Sequence, residues 1–122
     1  MTKKLWTQKI KKACKEAGTY KPFFDSVIDT LAGIMEERDQ ASEAFNKTGG
    51  AVIVKHTNKG GATNLEQNPA LRLVNDLNRD ALAYWRELGL TPAGLKRINE
   101  IAMKEEKENA LTIALRQLEG GS

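Results

Sequence analysis

The sequence is short of the residues that usually carry chemistry. Among its 122 residues there is one cysteine, Cys14, and one histidine, His56. A single thiol excludes an intramolecular disulfide and suits a reducing compartment. One histidine, without clustered thiols or carboxylates, is poor material for a metal site or a catalytic dyad. No apolar run approaches the length of a membrane span, and the lysine-rich start lacks the apolar core of a signal peptide. Aromatic residues make up only 6% of the chain. No Gly-x-x-x-x-Gly-Lys-Ser/Thr phosphate loop is present, nor a compact carboxylate set for two-metal chemistry, which argues against an NTPase or a nuclease. No cofactor is expected.

What is present is helix-forming material and an uneven charge. Charged residues account for 29% of the chain, a composition that favours a mainly α protein of one domain. Residues 1–24 carry seven lysines (Lys3, Lys4, Lys9, Lys11, Lys12, Lys15 and Lys21) against the single acid Glu16, whereas residues 25–122 carry twelve basic and fifteen acidic side chains. A basic arm on a nearly neutral body is a footprint of nucleic-acid binding, because each lysine displaces a condensed counterion from a phosphate. It is also the pattern of a well-solvated helix, and charge alone does not separate the two.

Thr2 is placed to cap a helix running to Ala17, with Leu5, Trp6, Ile10, Ala13 and Cys14 on one side and Gly18 as its stop. Trp6 reads as a docking anchor and Cys14 as a small buried hydrophobe. Pro22 opens a second helix in which Phe24, Ile28, Leu31 and Met35 recur at three- and four-residue steps, flanked by Val27 and Ile34. The frame continues through Arg38 and Ser42 to Phe45. Asp25, Asp29, Glu36, Glu37 and Glu43 make its outer face acidic and repellent to phosphate. Gly49-Gly50 stops this helix. The β-branched run from Ala51 to Lys55, the turn Asn58-Lys59-Gly60-Gly61 and the return from Ala62 to Leu65 predict a small β-hairpin.

The strongest single signal is the stretch Asn68 to Pro92. Asn68 is an N-cap, Pro69 a first-turn residue and Gly89 a left-handed stop. Ala70, Leu71, Leu73, Val74, Leu77, Ala81, Leu82, Tyr84, Trp85 and Leu88, with Asn78 among them, cover about half the helix circumference, wider than one partner requires. Thr91 and Pro92 then start another helix at once, forcing a change of direction. Leu95, Ile98, Ile101 and Ala102 give it an apolar side. The polar run from Lys104 to Asn109 is either an exposed part of one long helix or a joint before a final helix built on Leu111, Ile113, Ala114, Leu115 and Leu118, and residues 119–122 are expected to fray.

The expected fold is therefore an antiparallel long-helix hairpin with a small β-hairpin insertion, flanked by short N- and C-terminal helices. The division is a basic arm at 1–19, a helical core at 20–91 and a C-terminal helical segment at 92–122. Phe24, Leu31, Met35, Val74, Leu77 and Trp85 are expected to be largely buried. The wide apolar face and the open strand edges suggest contacts between copies near Arg38, Tyr84 and Trp85.

The order of a long helix, the hairpin His56-Thr57-Asn58-Lys59-Gly60-Gly61-Ala62-Thr63-Asn64, then Asn68-Pro69-Ala70-Leu71 and Leu88-Gly89-Leu90-Thr91-Pro92 resembles the phage terminase small subunits over about Tyr20 to Ile98. Many members follow that last turn with a Ser-Ala-Arg type sequence, where this chain has Ala93-Gly94-Leu95-Lys96-Arg97. The resemblance implies a non-catalytic protein of the infected or prophage-carrying bacterial cytoplasm. Such a protein assembles into a ring, recognises double-stranded viral DNA and passes it to a large terminase subunit holding the ATPase and nuclease. On the residues themselves a dimeric helical DNA-binding regulator and a structural helical adaptor stay open. The DNA contacts are expected at the seven arm lysines, with Lys55 and Lys59 of the hairpin as a second set acting as point charges on phosphates.

Overall fold

The structure is a computed structural model that describes residues 1–120. Four helices and one hairpin follow in the order α1 (Lys3–Ala17), a 3₁₀ turn (Pro22–Phe24), α2 (Asp25–Lys47), β1 (Ile53–Thr57), β2 (Thr63–Gln67), α3 (Pro69–Glu87) and α4 (Pro92–Gly120). The mainly helical class with a β-hairpin insertion is the one expected. Pro22 opens a 3₁₀ turn before the α-helix proper, so the second helix starts one turn later than its proline suggests.

Helices α2 and α3 form the centre, and their two ends are tied differently. At the hairpin end the buried Asn68 closes the junction. Its side-chain oxygen accepts from the Ala70 N–H at 3.0 Å, its amide nitrogen donates to Thr48 Oγ1 at 2.7 Å and to the Ala51 carbonyl at 2.8 Å, and its backbone N–H donates to the Val52 carbonyl. At the other end the buried Thr19 hydroxyl, just after α1, donates to the Leu88 carbonyl at 2.8 Å. The start of α2 therefore lies by the end of α3, and the pair runs antiparallel.

The core joins Trp6, Ile10 and Cys14 of α1 to Ile28, Leu31, Ala32 and Met35 of α2 and to Ala81 and Leu88 of the α3 end. Leu31, Met35 and Leu77 are buried as expected; Phe24, Val74 and Trp85 are half-buried. Leu5, Leu73, Leu82 and Asn78, assigned to apolar sides, are exposed. In α3 the buried positions are Leu77, Ala81 and Leu88; Leu73 lies one turn before Leu77 on the same line but is left uncovered, and Leu82 winds onto the far side of the helix.

The C-terminal segment, for which one helix or two were expected, is one helix of 29 residues. The run from Lys104 to Asn109 contains good helix formers and neither glycine nor proline, so nothing in it breaks the backbone pattern. Glu119 and Gly120 belong to this helix rather than to a frayed end, while Gly121 and Ser122 of the same expectation lie outside the described residues. From Asn99 through Glu119 every residue is exposed. No described helix is long and apolar enough to cross a membrane.

Candidate nucleic-acid interface

The basic arm is a docked helix. Thr2 Oγ1 accepts from the Leu5 N–H at 3.3 Å, and Gly18 closes the other end. The docking face carries Trp6, Ile10 and Cys14, and burial pushes the Cys14 thiol above its ordinary range against a weaker opposing hydrogen bond from Thr19. That keeps it protonated and inert.

Charge reinforces the packing. The Glu36 carboxylate accepts from the Lys3 N–H at 2.7 Å, at the helix N-terminus where an anion is favoured, and the Lys3 ammonium pairs with Asp29 at 3.2 Å. Asp39 gathers three partners: the Trp6 indole N–H at 2.7 Å, the α-amino group of Met1 at 3.1 Å and the Arg38 guanidinium at 3.2 Å. Partial burial works to raise the Asp39 pKa, but the Trp6 hydrogen bond, the Met1 amine and Arg38 outweigh it and hold the carboxyl below its usual range. The reading of the α2 acids as a free, phosphate-repelling outer face is therefore corrected in part. Glu36 caps the first turn of α1, Asp29 pairs with Lys3 at the surface, and Asp25 accepts from the Tyr20 hydroxyl at 2.9 Å. Glu37 remains outward.

These contacts sort the lysines. Lys3 pairs with Asp29, and Lys12 stands 4.0 Å from Glu16, both exposed pairs of little energetic weight. Lys4, Lys11 and Lys15 recur at helical spacing with Gln8 and so form a row about 16 Å long on one flank of α1. The ammonium groups of Lys11 and Lys15 lie over the Tyr20 ring, 5.1 and 5.3 Å from its centre. Tyr20, then Asp25, holds the Lys11 ammonium above its ordinary range. Lys9 stands apart, over the Trp6 ring at 4.9 Å, and Lys21 is exposed beside Tyr20 in the chain. The structure thus brings together Lys4, Lys11 and Lys15 but not all seven, and adds Tyr20, which composition alone did not single out. Proximity of Tyr20 to the arm in sequence was the available signal.

Lys55 and Lys59 sit on a ribbon projecting from the body. Its strands pair antiparallel from Ile53 opposite Gln67 to Thr57 opposite Thr63, and nine of the ten strand residues are exposed. His56 is exposed, with Nδ1 4.0 Å from Glu66, too far for a hydrogen bond. Among the described residues no group of three or more His, Cys, Asp or Glu is placed to hold a metal ion.

Of the residues expected between copies, Arg38 is half-buried, pairs with Asp39 and lies 5.9 Å from the Trp6 ring centre, and its Nε has no hydrogen-bond partner. Tyr84 and Trp85 are half-buried against the core. All three already have partners in their own chain.

No curated protein and no solved structure matches this chain. A family model described as phage terminase, small subunit, matches residues 2–105. That span takes in α1, the antiparallel pair, the hairpin and the first half of α4, reaching beyond the motifs that carried the resemblance in sequence. On this match the chain belongs to the phage terminase small-subunit family.

Proposed function

We propose that this protein is the non-catalytic DNA-recognition component of a phage packaging machine. Copies assemble into a ring, engage double-stranded viral DNA and deliver it to a large terminase subunit that supplies ATPase and nuclease activity, in the cytoplasm of the bacterial host. The observation that carries this reading is the family match across residues 2–105. The exposed Leu73 and Leu82 of α3 are in keeping with assembly, since they leave apolar surface that the single chain does not cover.

The DNA-facing element of this reading is the α1 row of Lys4, Lys11 and Lys15, with Lys12 at its outer side and Lys9 and Lys21 near its edges. One such row is a weak, sequence-blind phosphate contact, and repetition around a ring multiplies it into avidity. Light scattering on the purified protein should give a mass above four copies without DNA; a dimer or a monomer would remove the ring. Replacing Lys11, Lys12 and Lys15 together by Gln should lower both duplex affinity and the steepness of its salt dependence, with the assembly mass unchanged. A triple variant that binds as the parent does would take the contact away from α1. The exposed Lys96-Arg97 pair would be examined next.

A further inference from the structure

The hairpin is built in a way the phosphate-contact reading does not require. An isolated two-stranded ribbon is marginal in water, and this one receives little cover from the helices. It is instead stiffened at both ends. At the root, Asn68 ties the incoming and outgoing chains through Ala51 and Val52. At the tip, Asn58 Oδ1 accepts from the Gly60 and Ala62 N–H groups at 3.0 Å each, and the Asn58 N–H donates to the Ala62 carbonyl. The Thr57 and Thr63 hydroxyls bond across the strands at 3.1 Å.

Charge and polarity mark what this ribbon suits. Across the ribbon, from Ile53 to Gln67, the basic Lys55 and Lys59 outnumber the single acid Glu66, which lies on the same face as His56. Exposed apolar side chains sit at the root, at Val52 and Ile53, and at mid-strand, at Leu65 opposite Lys55. Apart from the half-buried Val54, the remainder of the ribbon is small, polar or charged. A strand destined to pair edge to edge with another copy would carry apolar residues along its length; from the strand midpoint to the turn this one carries only His56, Thr57, Thr63 and Asn64.

We infer that the hairpin is a β-ribbon that enters the DNA major groove and reads base edges, with His56 and Asn64 as the readers. Their register makes them direct cross-strand partners, so their side chains project from the same face. Asn58 is occupied within the turn, whereas Asn64 makes no side-chain hydrogen bond among the described residues and His56 makes none either. An Asn amide matches the N6 and N7 edge of adenine, and a histidine ring presents one donor and one acceptor. Five-residue strands span about 17 Å. A major groove about 12 Å wide admits a two-stranded ribbon. Lys59, in the turn, is then the lysine placed to meet a flanking phosphate, a contact that fixes register without reading sequence, while Lys55 projects from the opposite face.

This inference rests on the DNA-binding reading above, and the test separates the two. The parent protein is used to enrich sequences from a randomised duplex pool, and its affinity for the enriched duplex is compared with that for a scrambled duplex of equal length. The double variant His56→Ala, Asn64→Ala changes only exposed side chains and should fold as the parent does. It should lose most of the sequence preference, a drop of about tenfold or more. Affinity for the scrambled duplex and its salt dependence should stay the same. A variant that keeps the preference overturns the inference, as does a parent that binds duplex but enriches no sequence. A fall in assembly mass with selectivity unchanged would assign the ribbon to pairing between copies. A parent that binds no DNA at all would sink the proposed function, and this inference with it.

Discussion

The two helices that flank the central pair, α1 and α4, behave in opposite ways. Helix α1 has 15 residues and is docked along its length, whereas α4 has 29 and is packed only over its first two turns. Counting apolar residues would have predicted the reverse. The difference lies in phase. In α1, Trp6, Ile10 and Cys14 recur on one line, and Asp29, Glu36 and Asp39 of α2 meet its amino-terminal turn and Trp6. In α4, Leu95, Ile98 and Ala102 form one line, but Leu111, Leu115 and Leu118 wind onto the opposite side of the same rod. A straight helix seated by its first line therefore holds the second away from its own body. Docking follows the consistency of the apolar phase, and number and length are secondary.

The sharpest way to break this contrast is to remove the α1 anchor. Trp6→Ala deletes a buried indole and its hydrogen bond to Asp39, and should cost about 3–5 kcal/mol in denaturant unfolding. A loss below about 1 kcal/mol would show that α1 is not part of the cooperative core.

A smaller effect should appear in acid. The folded-state pKa of Asp39 is depressed, so its ionised form contributes stability that is fully present above about pH 4 and is lost as pH falls through the lower folded value. Melting temperatures followed by Trp fluorescence should fall on acidification below pH 4. The Asp39→Asn variant should start less stable at pH 7 and show a shallower decline. Parallel pH profiles for the two proteins would exclude Asp39 as the acid-sensitive tie.

The smallest effect should come from the other helix. Leu115→Ala, at an exposed site, should change the stability of the dissociated chain by no more than about 0.5 kcal/mol. A change above about 2 kcal/mol in dilute, unassembled protein would mean that the far half of α4 folds back onto the body, and the contrast with α1 would disappear.

Local signals were legible wherever they were covalently close. The caps at Thr2, Asn68 and Thr91 hold where they were read: the Thr91 hydroxyl accepts from the Gly94 N–H at 3.1 Å, as the first two do from their own helices. The hairpin turn and the lysine density of α1 were equally plain. What the sequence concealed were ties across distance. Asp39 stands 33 residues from Trp6, and nothing around Asp39 distinguishes it from the acids beside it. The second half of the Asn68 amide, bound to Thr48 and Ala51, is hidden for the same reason, and so is the pairing of Lys3 with Asp29. The candidate interface was thus readable as a composition and not as a surface.

The join between α3 and α4 is where this architecture gains mechanical leverage. Gly89 takes φ 71° between Thr19 and Ile98, and at Gly94 an added Cβ would lie only 2.3 Å from the Arg86 carbonyl oxygen. That oxygen already accepts the Gly89 N–H, so it has little freedom to retreat. The helix continues about 33 Å beyond Ile98. A methyl group at position 94 that tilted it by about 10° would sweep its far end through about 6 Å, comparable with one helical turn. A missing methyl at one backbone contact thereby sets the aim of the entire carboxy-terminal rod.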